Sequence, residues 1–240
     1  PGCRLEGMKA TRSFPLEERG GAVFLFVGET KDTQPTPLRV PAELEDPEYS
    51  HFLCYTEWGG DYRYVIDNVM DPMHGTFLHH HSHSMSEGEA VANFQIVETD
   101  TGFVFEKEGQ RDINFDWTEF MDIGSMWLKL EIPYPKTGGP GGNFMILGSV
   151  SPMQDGWSAV FFWRLRKVSG WQRDAWRFLY RNRLEKRHWH VLEQDRVLIE
   201  DYEPGANQRE ILYQHDAGLV RLRRYLKQKA EQQLETTAHG

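Results

Sequence analysis

A cluster of metal-binding side-chain types lies in the segment that runs from Asp67 to His79. Two histidines, His74 and His79, are five residues apart, and the carboxylate of Asp71 precedes the first by three. Neutral imidazole is the commonest ligand of divalent first-row metals, and a nearby carboxylate can orient it. Five of the ten histidines lie between His74 and His83, so chance scatter explains the cluster poorly. The pattern predicts a metal site and a redox or hydrolytic enzyme.

The spacing of the two histidines sets a condition on the local backbone. On a regular helix Asp71 and His74 share a face, whereas His74 and His79 lie about 140° apart. Both imidazoles can reach one ion only if the helix distorts or ends between them, and Pro72 and Gly75 favour such a break. Zinc proteases instead place their two histidines four residues apart on an ordinary helix. The spacing therefore disfavours a zinc protease.

The order Asn-x-x-Asp-x-x-His-x4-His resembles the iron-binding motif of Rieske non-heme iron oxygenases, the aromatic-ring hydroxylases and O-demethylases. The resemblance is to the catalytic domain of the α subunit of these enzymes. It implies that His74 and His79 bind a mononuclear Fe(II). It also implies that Asp71 hydrogen-bonds the first ligand histidine and relays electrons from a neighbouring subunit, and that Asn68 lies near the iron.

A third iron ligand is expected far downstream of these histidines. The segment Gln194–Glu200 resembles the late helix of the family, in which an aspartate ligand precedes a glutamate by five residues. We therefore predict Asp195 as the carboxylate ligand. Glu193 and Glu200 are the alternatives, and Glu200 fits better as the trailing glutamate. Asp195 also lies on the apolar face of a predicted helix, where an unpaired carboxylate would be costly and a metal would relieve that cost.

The resemblance has one large gap. The family holds its [2Fe-2S] cluster with Cys-x-His and Cys-x2-His pairs, but neither Cys3 nor Cys54 has a histidine at those spacings. The segments Ser13–Arg19 and Ala22–Gly28 look like the last strands of the cluster domain. We expect residues 1–35 to be the remnant of a Rieske domain and residues 36–240 to be the iron catalytic domain. The isolated chain is expected to be inactive, because the cluster that supplies electrons is missing.

Composition fits one enzyme domain with a sizeable core. Hydrophobic residues make up 39% and aromatic residues 13% of the 240 positions. No apolar run approaches about 18 residues, and no signal pattern begins the chain. The net charge of −9 disfavours nucleic acid and anionic membranes as partners. Two cysteines fit a reducing cytoplasm, which is the location that we predict.

The pattern of elements predicts an α+β fold. A likely surface linker, Thr30–Pro47, precedes a strand at His51–Trp58 and a helix at Asp61–Met70 that carries Asn68 to the site. Ser82–Ala90 is predicted as a loop, and from Trp171 onward apolar residues recur at helical spacing. Six further strands are predicted in between: Ala92–Glu98, Gly102–Glu108, Phe115–Asp122, Met126–Pro133, Asn143–Val150 and Trp157–Lys167. The resemblance implies the helix-grip arrangement (START or Bet v 1-like), in which an antiparallel sheet wraps around long C-terminal helices.

Several other residues have a plain interpretation that we prefer. The histidines His80, His81 and His83 are expected to be exposed loop residues. The basic tract Arg181–Arg187 is expected to be the wet face of a helix, with a docking patch for a redox partner as the minority view. His188 and His190 are expected to be packed or solvated. Five aromatic residues are candidates for the lining of a substrate cavity, although each fits a plain core position better: Phe94, Phe105, Phe144, Phe161 and Trp163.

The function implied by the resemblance is hydroxylation or oxidative demethylation of an aromatic or related apolar compound by O2 at mononuclear Fe(II). Electrons would come from the [2Fe-2S] cluster of the full-length protein and from a ferredoxin or an NAD(P)H-dependent reductase, and the assembly would be a homotrimer. Three protein ligands on one face of the iron leave positions for O2 and water. Two alternatives stay open: a helix-grip module that only binds a ligand, and a different metalloenzyme such as a zinc hydrolase with the same ligands.

Overall fold

Antiparallel strands form most of the protein in this computed structural model, which describes residues 13–28, 33–81, 93–111, 113, 115–134, 142–203 and 205–238. A small hairpin comes first, followed by the strands of a seven-stranded sheet. The strands are β1 Leu16–Arg19, β2 Ala22–Leu25, β3 Tyr49–Trp58, β4 Phe94–Thr99, β5 Gly102–Lys107, β6 Trp117–Asp122, β7 Met126–Tyr134, β8 Gly142–Pro152 and β9 Ser158–Lys167. The large sheet has the order β3-β9-β8-β7-β6-β5-β4, and every neighbouring pair is antiparallel.

Among the described residues, six α-helices accompany the sheet: α1 Ala42–Glu45, α2 Tyr62–Met70, α3 Pro72–Leu78, α4 Gly170–Leu179, α5 Glu185–Glu200 and α6 Ala217–Ala238. A short π-helical segment, Tyr180–Leu184, joins α4 to α5 without a loop. Single π-helical turns inside α-helices shift the faces that the flanking turns present. The prediction of an antiparallel sheet with long C-terminal helices is confirmed.

One face of the sheet packs against the helices. The largest buried cluster joins Val65, Val69 and Met70 of α2, Ile199 of α5 and Leu222 of α6 to inward-facing strand residues such as Phe162. Each fully buried side chain of this size contributes about 1.5–3 kcal/mol to folding. This burial fixes α2 and α5 against the same sheet face, and these two helices carry Asn68 and Asp195.

The other face of the sheet is covered by the β1–β2 hairpin. Phe24 of the hairpin packs against Trp127 and Trp163, with ring centroids 5.9 Å and 6.3 Å away. The indole Nε1–H of Trp163 donates a hydrogen bond to the carbonyl of Gly20 at 2.7 Å. Because residues alternate along β9, Phe161 and Trp163 belong to this outer cluster. Their candidacy as cavity-lining residues was therefore wrong, whereas Phe94, Phe105 and Phe144 lie on the helix side.

Most of the predicted elements are present with shifted ends. The β4–β5 hairpin turns at Asp100 and Thr101. Gly102 fits this turn because a Cβ there would lie 2.0 Å from the carbonyl oxygen of Phe120. The predicted linker Thr30–Pro47 contains α1, which buries Leu44 in the outer cluster, so the expectation of a plain linker was wrong there. The predicted loop Ser82–Ala90 lies outside the described residues.

The basic tract Arg181–Arg187 lies mostly on an exposed helix surface. Arg181, Arg183, Lys186 and Arg187 are exposed, which agrees with the wet face of a helix. Arg181 also lies 4.8 Å from the ring of Phe52 and pairs with Glu185 at 3.6 Å.

No helix in the described part of the chain combines the length and the apolar character that crossing a membrane requires.

Candidate metal centre

The backbone breaks between the two halves of the histidine motif. Asp71 ends α2 and begins α3 in an extended conformation (φ −90°, ψ 105°), and Pro72 occupies the first turn of α3. Proline is well tolerated there because its missing N–H has no partner in the first turn of a helix. His74 lies inside α3, whereas His79 follows directly after its last residue. The helix ends between the two histidines, as their spacing required.

Three side chains from two distant segments meet at one point. The Nε2 atoms of His74 and His79 lie 3.6 Å and 3.2 Å from Oδ1 of Asp195. One ligand atom of each of the three residues lies within 4.8 Å of the other two. His79 and Asp195 are buried, and His74 is partly buried. Two imidazole nitrogens and one carboxylate oxygen in this arrangement form the donor set of a facial triad, which is typical of non-heme Fe(II) oxygenases.

Hydrogen bonds at the far side of each imidazole turn its Nε2 toward Asp195. Nδ1 of His74 donates to the main-chain carbonyl of Asp71 at 2.5 Å, and Nδ1 of His79 donates to Oε1 of Gln194 at 2.8 Å. A metal-binding histidine commonly donates its other N–H to a carbonyl or carboxylate, which fixes the tautomer. Sequence reasoning did not find the role of Gln194, because adjacent residues on a helix normally point in different directions.

Asn68 connects α2 to the proposed ligand on α5. Its side-chain N–H donates to Oδ1 of Asp195 at 3.1 Å. This is the same carboxylate oxygen that faces the two histidines. The structure thus places the side chain of Asn68 in contact with the triad. The hydrogen bond holds the carboxylate at a fixed angle to the imidazoles.

The carboxylate of Asp71 makes a different contact from the one implied by the resemblance. It accepts a hydrogen bond from the N–H of Met73 at 2.7 Å and caps the N-terminus of α3, and the main-chain carbonyl of Asp71 accepts from Nδ1 of His74. Burial raises the pKa of the Asp71 carboxyl, and nearby His74 partly offsets that rise. Within this chain Asp71 therefore positions the motif through its backbone and its cap.

The rival residues lie away from the triad. Glu193 and Glu200 both pair with Arg196, and Glu200 also accepts a hydrogen bond from the N–H of Gly59 at 3.0 Å. His80 and His81 are exposed, and their ring centroids lie 3.8 Å apart. His83 lies outside the described residues. Of the acidic alternatives, only Asp195 points between the two histidines.

The buried negative charge of the triad favours a bound cation. Asp195 is 5% exposed, and its ion pairs among the described residues are with histidines alone. Burial lowers the pKa of His79, but the hydrogen bonds that its ring donates to Asp195 and Gln194, together with the negative charge of Asp195, outweigh this effect, so the pKa is raised. A buried carboxylate without a lysine or arginine partner is costly. A divalent metal at the three ligand atoms would supply the missing positive charge. His74, His79 and Asp195 are therefore suited to bind such an ion.

Comparison with known proteins gives the same picture. A family model described as the vanillate O-demethylase oxygenase C-terminal domain matches residues 58–232. The vanillate O-demethylase oxygenase subunit of Pseudomonas sp. (strain HR199 / DSM 7063) is 30% identical over 101 residues, which cover 42% of this chain and 28% of the relative. That of Pseudomonas sp. (strain ATCC 19151) is 29% identical over 100 residues, 42% of this chain and 30% of the relative. The matched segments thus span less than a third of either relative.

Solved structures share the fold. Dicamba monooxygenase bound to dicamba matches with a TM-score of 0.63 at 19% identity, over 93% of this chain and 70% of that one. The terminal oxygenase of carbazole 1,9a-dioxygenase from Nocardioides aromaticivorans IC177 matches with a TM-score of 0.64 at 17% identity, over 86% of this chain and 65% of that one. The predicted resemblance to oxygenase catalytic domains is confirmed. The chain belongs to the family of vanillate O-demethylase oxygenase C-terminal domains.

Proposed function

We propose that this chain is the catalytic domain of an oxygenase that binds mononuclear Fe(II) through His74, His79 and Asp195. The observation that carries the proposal is the convergence of two imidazole Nε2 atoms on one buried carboxylate. Bound there, Fe(II) would supply O2 activation at the positions that three protein ligands leave open. Asn68 and Gln194 would orient the ligands, and the apolar cluster of α2 and the sheet would exclude water.

The proposed substrate is a small aromatic compound, and the favoured reaction is oxidative O-demethylation. The names of the two curated relatives, both vanillate O-demethylase subunits, support this choice. An aryl methyl ether, O2, two electrons and two protons would give a phenol, formaldehyde and water. The O–CH3 bond breaks, the methyl carbon is oxidised, and O2 is reduced. No described side chain is required as a general base, so the protein mainly positions the substrate.

Electrons must reach the site from outside this chain. We propose that they come from a [2Fe-2S] cluster in the full-length protein, fed by a ferredoxin or an NAD(P)H-dependent reductase. We also propose that residues 1–35 are the remnant of a Rieske domain and that residues 36–240 are the catalytic domain. Asp71 would relay electrons between subunits of a cytoplasmic homotrimer. The family resemblance supports these points.

A metal-exchange experiment tests the proposed function. The purified chain is loaded anaerobically with Fe(II) or with Zn(II), mixed with vanillate and O2, and assayed for formaldehyde. With NADH and a reductase we expect no product, because the only cysteines, Cys3 and Cys54, lack the histidine pairing of a cluster. With a small chemical reductant we expect formaldehyde from the iron form alone. Turnover with NADH and a reductase, or activity of the zinc form, would contradict the proposal.

A further inference from the structure

A buried lysine lies behind the helix that carries the two histidines. Lys107, the last residue of β5, is 2% exposed. It shares the helix-facing side of the sheet with Phe103 and Phe105, since side chains alternate along a strand. Its Nζ donates a hydrogen bond to Oγ1 of Thr76 in α3 at 3.3 Å. A positive charge therefore lies against the middle of α3.

Thr76 connects this charge to both candidate histidine ligands. It follows His74 by two residues and precedes His79 by three. With a rise of about 1.5 Å per residue, both ligand residues lie within about one helical turn of Thr76 along the axis of α3. The hydrogen bond from Lys107 thus reaches α3 between the two histidines.

Two carboxylates share the surroundings of Lys107. Burial lowers the pKa of Lys107, and the negative charges of Asp116 and Asp71 oppose that fall. Asp116 is 1% exposed, and its main-chain carbonyl accepts a hydrogen bond from the N–H of Lys107 at 2.8 Å. Acidic neighbours favour the charged form of a buried ammonium. Lys107 therefore offsets part of the negative charge behind α3.

The segment that carries Asp116 also contacts a candidate ligand. The ring of Phe115 packs edge-on against the imidazole of His74, with ring centroids 5.3 Å apart. Phe115 is 2% exposed, so this contact is shielded from water. Charges in such surroundings are screened much less than charges on the surface. A change of charge at Lys107 or Asp116 should therefore alter the potential at the triad.

We infer that Lys107 is a positioning residue that acts through α3, where its positive charge favours Fe(II) over Fe(III) at His74, His79 and Asp195. The inference rests on the proposed function, which it deepens by naming a residue that tunes the metal centre. Reduction adds one electron, from the [2Fe-2S] cluster proposed above, and lowers the charge at the triad by one. Lys107 gains and loses no proton or bond in this step. Because a nearby cation favours the less positive state, Lys107 raises the reduction potential and promotes electron transfer to the site.

The reduction potential of the iron-loaded chain tests the inference. The chain is titrated with mediator dyes at about pH 8, where ordinary carboxylates are ionised, and the Fe(III) signal is followed by electron paramagnetic resonance. We expect Lys107→Met to raise the ratio of Fe(III) affinity to Fe(II) affinity about tenfold, which equals a fall in potential of about 59 mV for a one-electron couple. Asp116→Asn keeps the shape of the side chain and should shift the potential upward. A purely structural role would not produce opposite shifts.

Lys129→Met is the matched control for the loss of one lysine charge. Lys129 lies in β7 between Leu128 and Leu130, which face the helices, so its own side chain is on the opposite face of the sheet. There it pairs with two carboxylates, those of Glu43 and Glu119. The potential of this variant should stay at the wild-type value.

Two results would overturn the inference. One is a potential in folded Lys107→Met that equals that of the wild type. The other is a potential in Asp116→Asn that does not rise. If Lys107→Met does not fold, Asp116→Asn still decides the question, because it leaves Lys107 in place and removes one opposing charge.

Failure of this inference is distinguishable from failure of the oxygenase proposal. An iron–nitrosyl signal together with unchanged potentials in the variants would refute the role of Lys107 and leave the oxygenase proposal standing. If that signal does not form, Zn(II) is the probe, titrated against a competing chelator. Tighter zinc binding in Lys107→Met and weaker binding in Asp116→Asn would then support the charge effect of Lys107 and refute the iron site. Zinc affinities that fall in both variants, or that do not change, would overturn both.

Discussion

At the scale of single residues, two side-chain amides hold the candidate ligands in register. Asn68 donates to Asp195 at 3.1 Å, and Gln194 accepts from His79 at 2.8 Å. Neither amide is a good metal ligand itself, yet the two hydrogen bonds orient the carboxylate of Asp195 and the imidazole of His79 toward the candidate metal position. Partners of this kind typically change metal affinity by about 10–100-fold when removed.

Replacing Gln194 tests this positioning role. Gln194→Leu removes the acceptor of the Nδ1–H of His79, so the imidazole loses its fixed tautomer and orientation. We expect Fe(II) affinity to fall by about 10–100-fold, measured by anaerobic titration against a competing chelator. Glu193→Gln is the matched control, because Glu193 is exposed and pairs with Arg196. A Gln194→Leu chain with wild-type iron affinity would contradict the role.

At the residue scale, the sequence predicted the three candidate metal ligands but not all of the residues that orient them. The spacing of His74 and His79 and the late Asp195 carry the resemblance, and the structure brings these three together. The contacts of Gln194 and the cap made by Asp71 depend on how α3 and α5 approach each other. A single sequence holds no record of that approach.

At the scale of elements, the junction between α2 and α3 sets the geometry of the motif. Asp71 belongs to both helix ends, and its carboxylate caps α3 through the N–H of Met73. The sequence predicted the break from Pro72 and the five-residue histidine spacing. It could not tell a capping carboxylate from one that bonds the histidine side chain, because both choices place Asp71 three residues before His74.

Two substitutions of Asp71 separate capping from charge. Asp71→Ala removes the cap and should lower the free energy of unfolding by about 1 kcal/mol, whereas Asp71→Asn keeps a good N-cap side chain and should stay close to wild type. Urea denaturation followed by circular dichroism measures both. If the two variants lose the same stability, the cap contributes little and the charge of Asp71 matters instead.

A close approach of two elements holds α5 beside α2. A Cβ at Gly60 would lie 2.4 Å from Cγ2 of Ile199, whereas a Cβ at Gly59 would come no closer than 3.4 Å to Glu200. Gly60→Ala should therefore push α5 outward and cost about 1–3 kcal/mol of stability, with weaker iron binding. Gly59→Ala is the matched control and should be mild. Equal, small effects of both changes in denaturation and iron titration would refute this packing argument.

At the scale of the whole molecule, buried ionisable groups couple stability to pH. Burial, helped by Arg164 and Arg187, lowers the pKa of His188 to about 3. The unfolded chain therefore binds a proton at His188 below about pH 6.5 that the folded chain does not, so stability falls as the pH drops from 6.5 toward 3. Asp67 acts in the opposite sense, since burial raises its pKa to about 6 and its contribution to stability is lost as pH rises through that range.

Substitution of His188 isolates its share of this dependence. Between pH 7.5 and pH 5.5, we expect the wild-type chain to lose about 1 kcal/mol more stability than His188→Gln. Asp67 is present in both proteins, so its opposite contribution cancels in the difference. Chemical denaturation at the two pH values gives the result. Identical pH dependence in the two proteins would mean that His188 is not held neutral in the fold.

The fold as a whole followed from the pattern of the sequence, whereas its interior did not. Six strands between Ala92 and Lys167 and the late helices were predicted, and the sheet and helices are present. Which strand face looks toward the helices was not predictable, since both faces carry aromatic residues. Trp163 shows why: it is buried as deeply as an inward residue, but it packs under the β1–β2 hairpin.

The central claim is a mononuclear iron site at His74, His79 and Asp195, and one spectrum tests it most directly. The chain is titrated anaerobically with Fe(II), exposed to nitric oxide and examined by electron paramagnetic resonance, beside His74→Ala and the exposed-histidine control His81→Ala. We predict a high-spin iron–nitrosyl signal at one iron per chain in the wild type and in His81→Ala, and none in His74→Ala. Absence of the signal in the wild type, or its survival in His74→Ala, would contradict the claim.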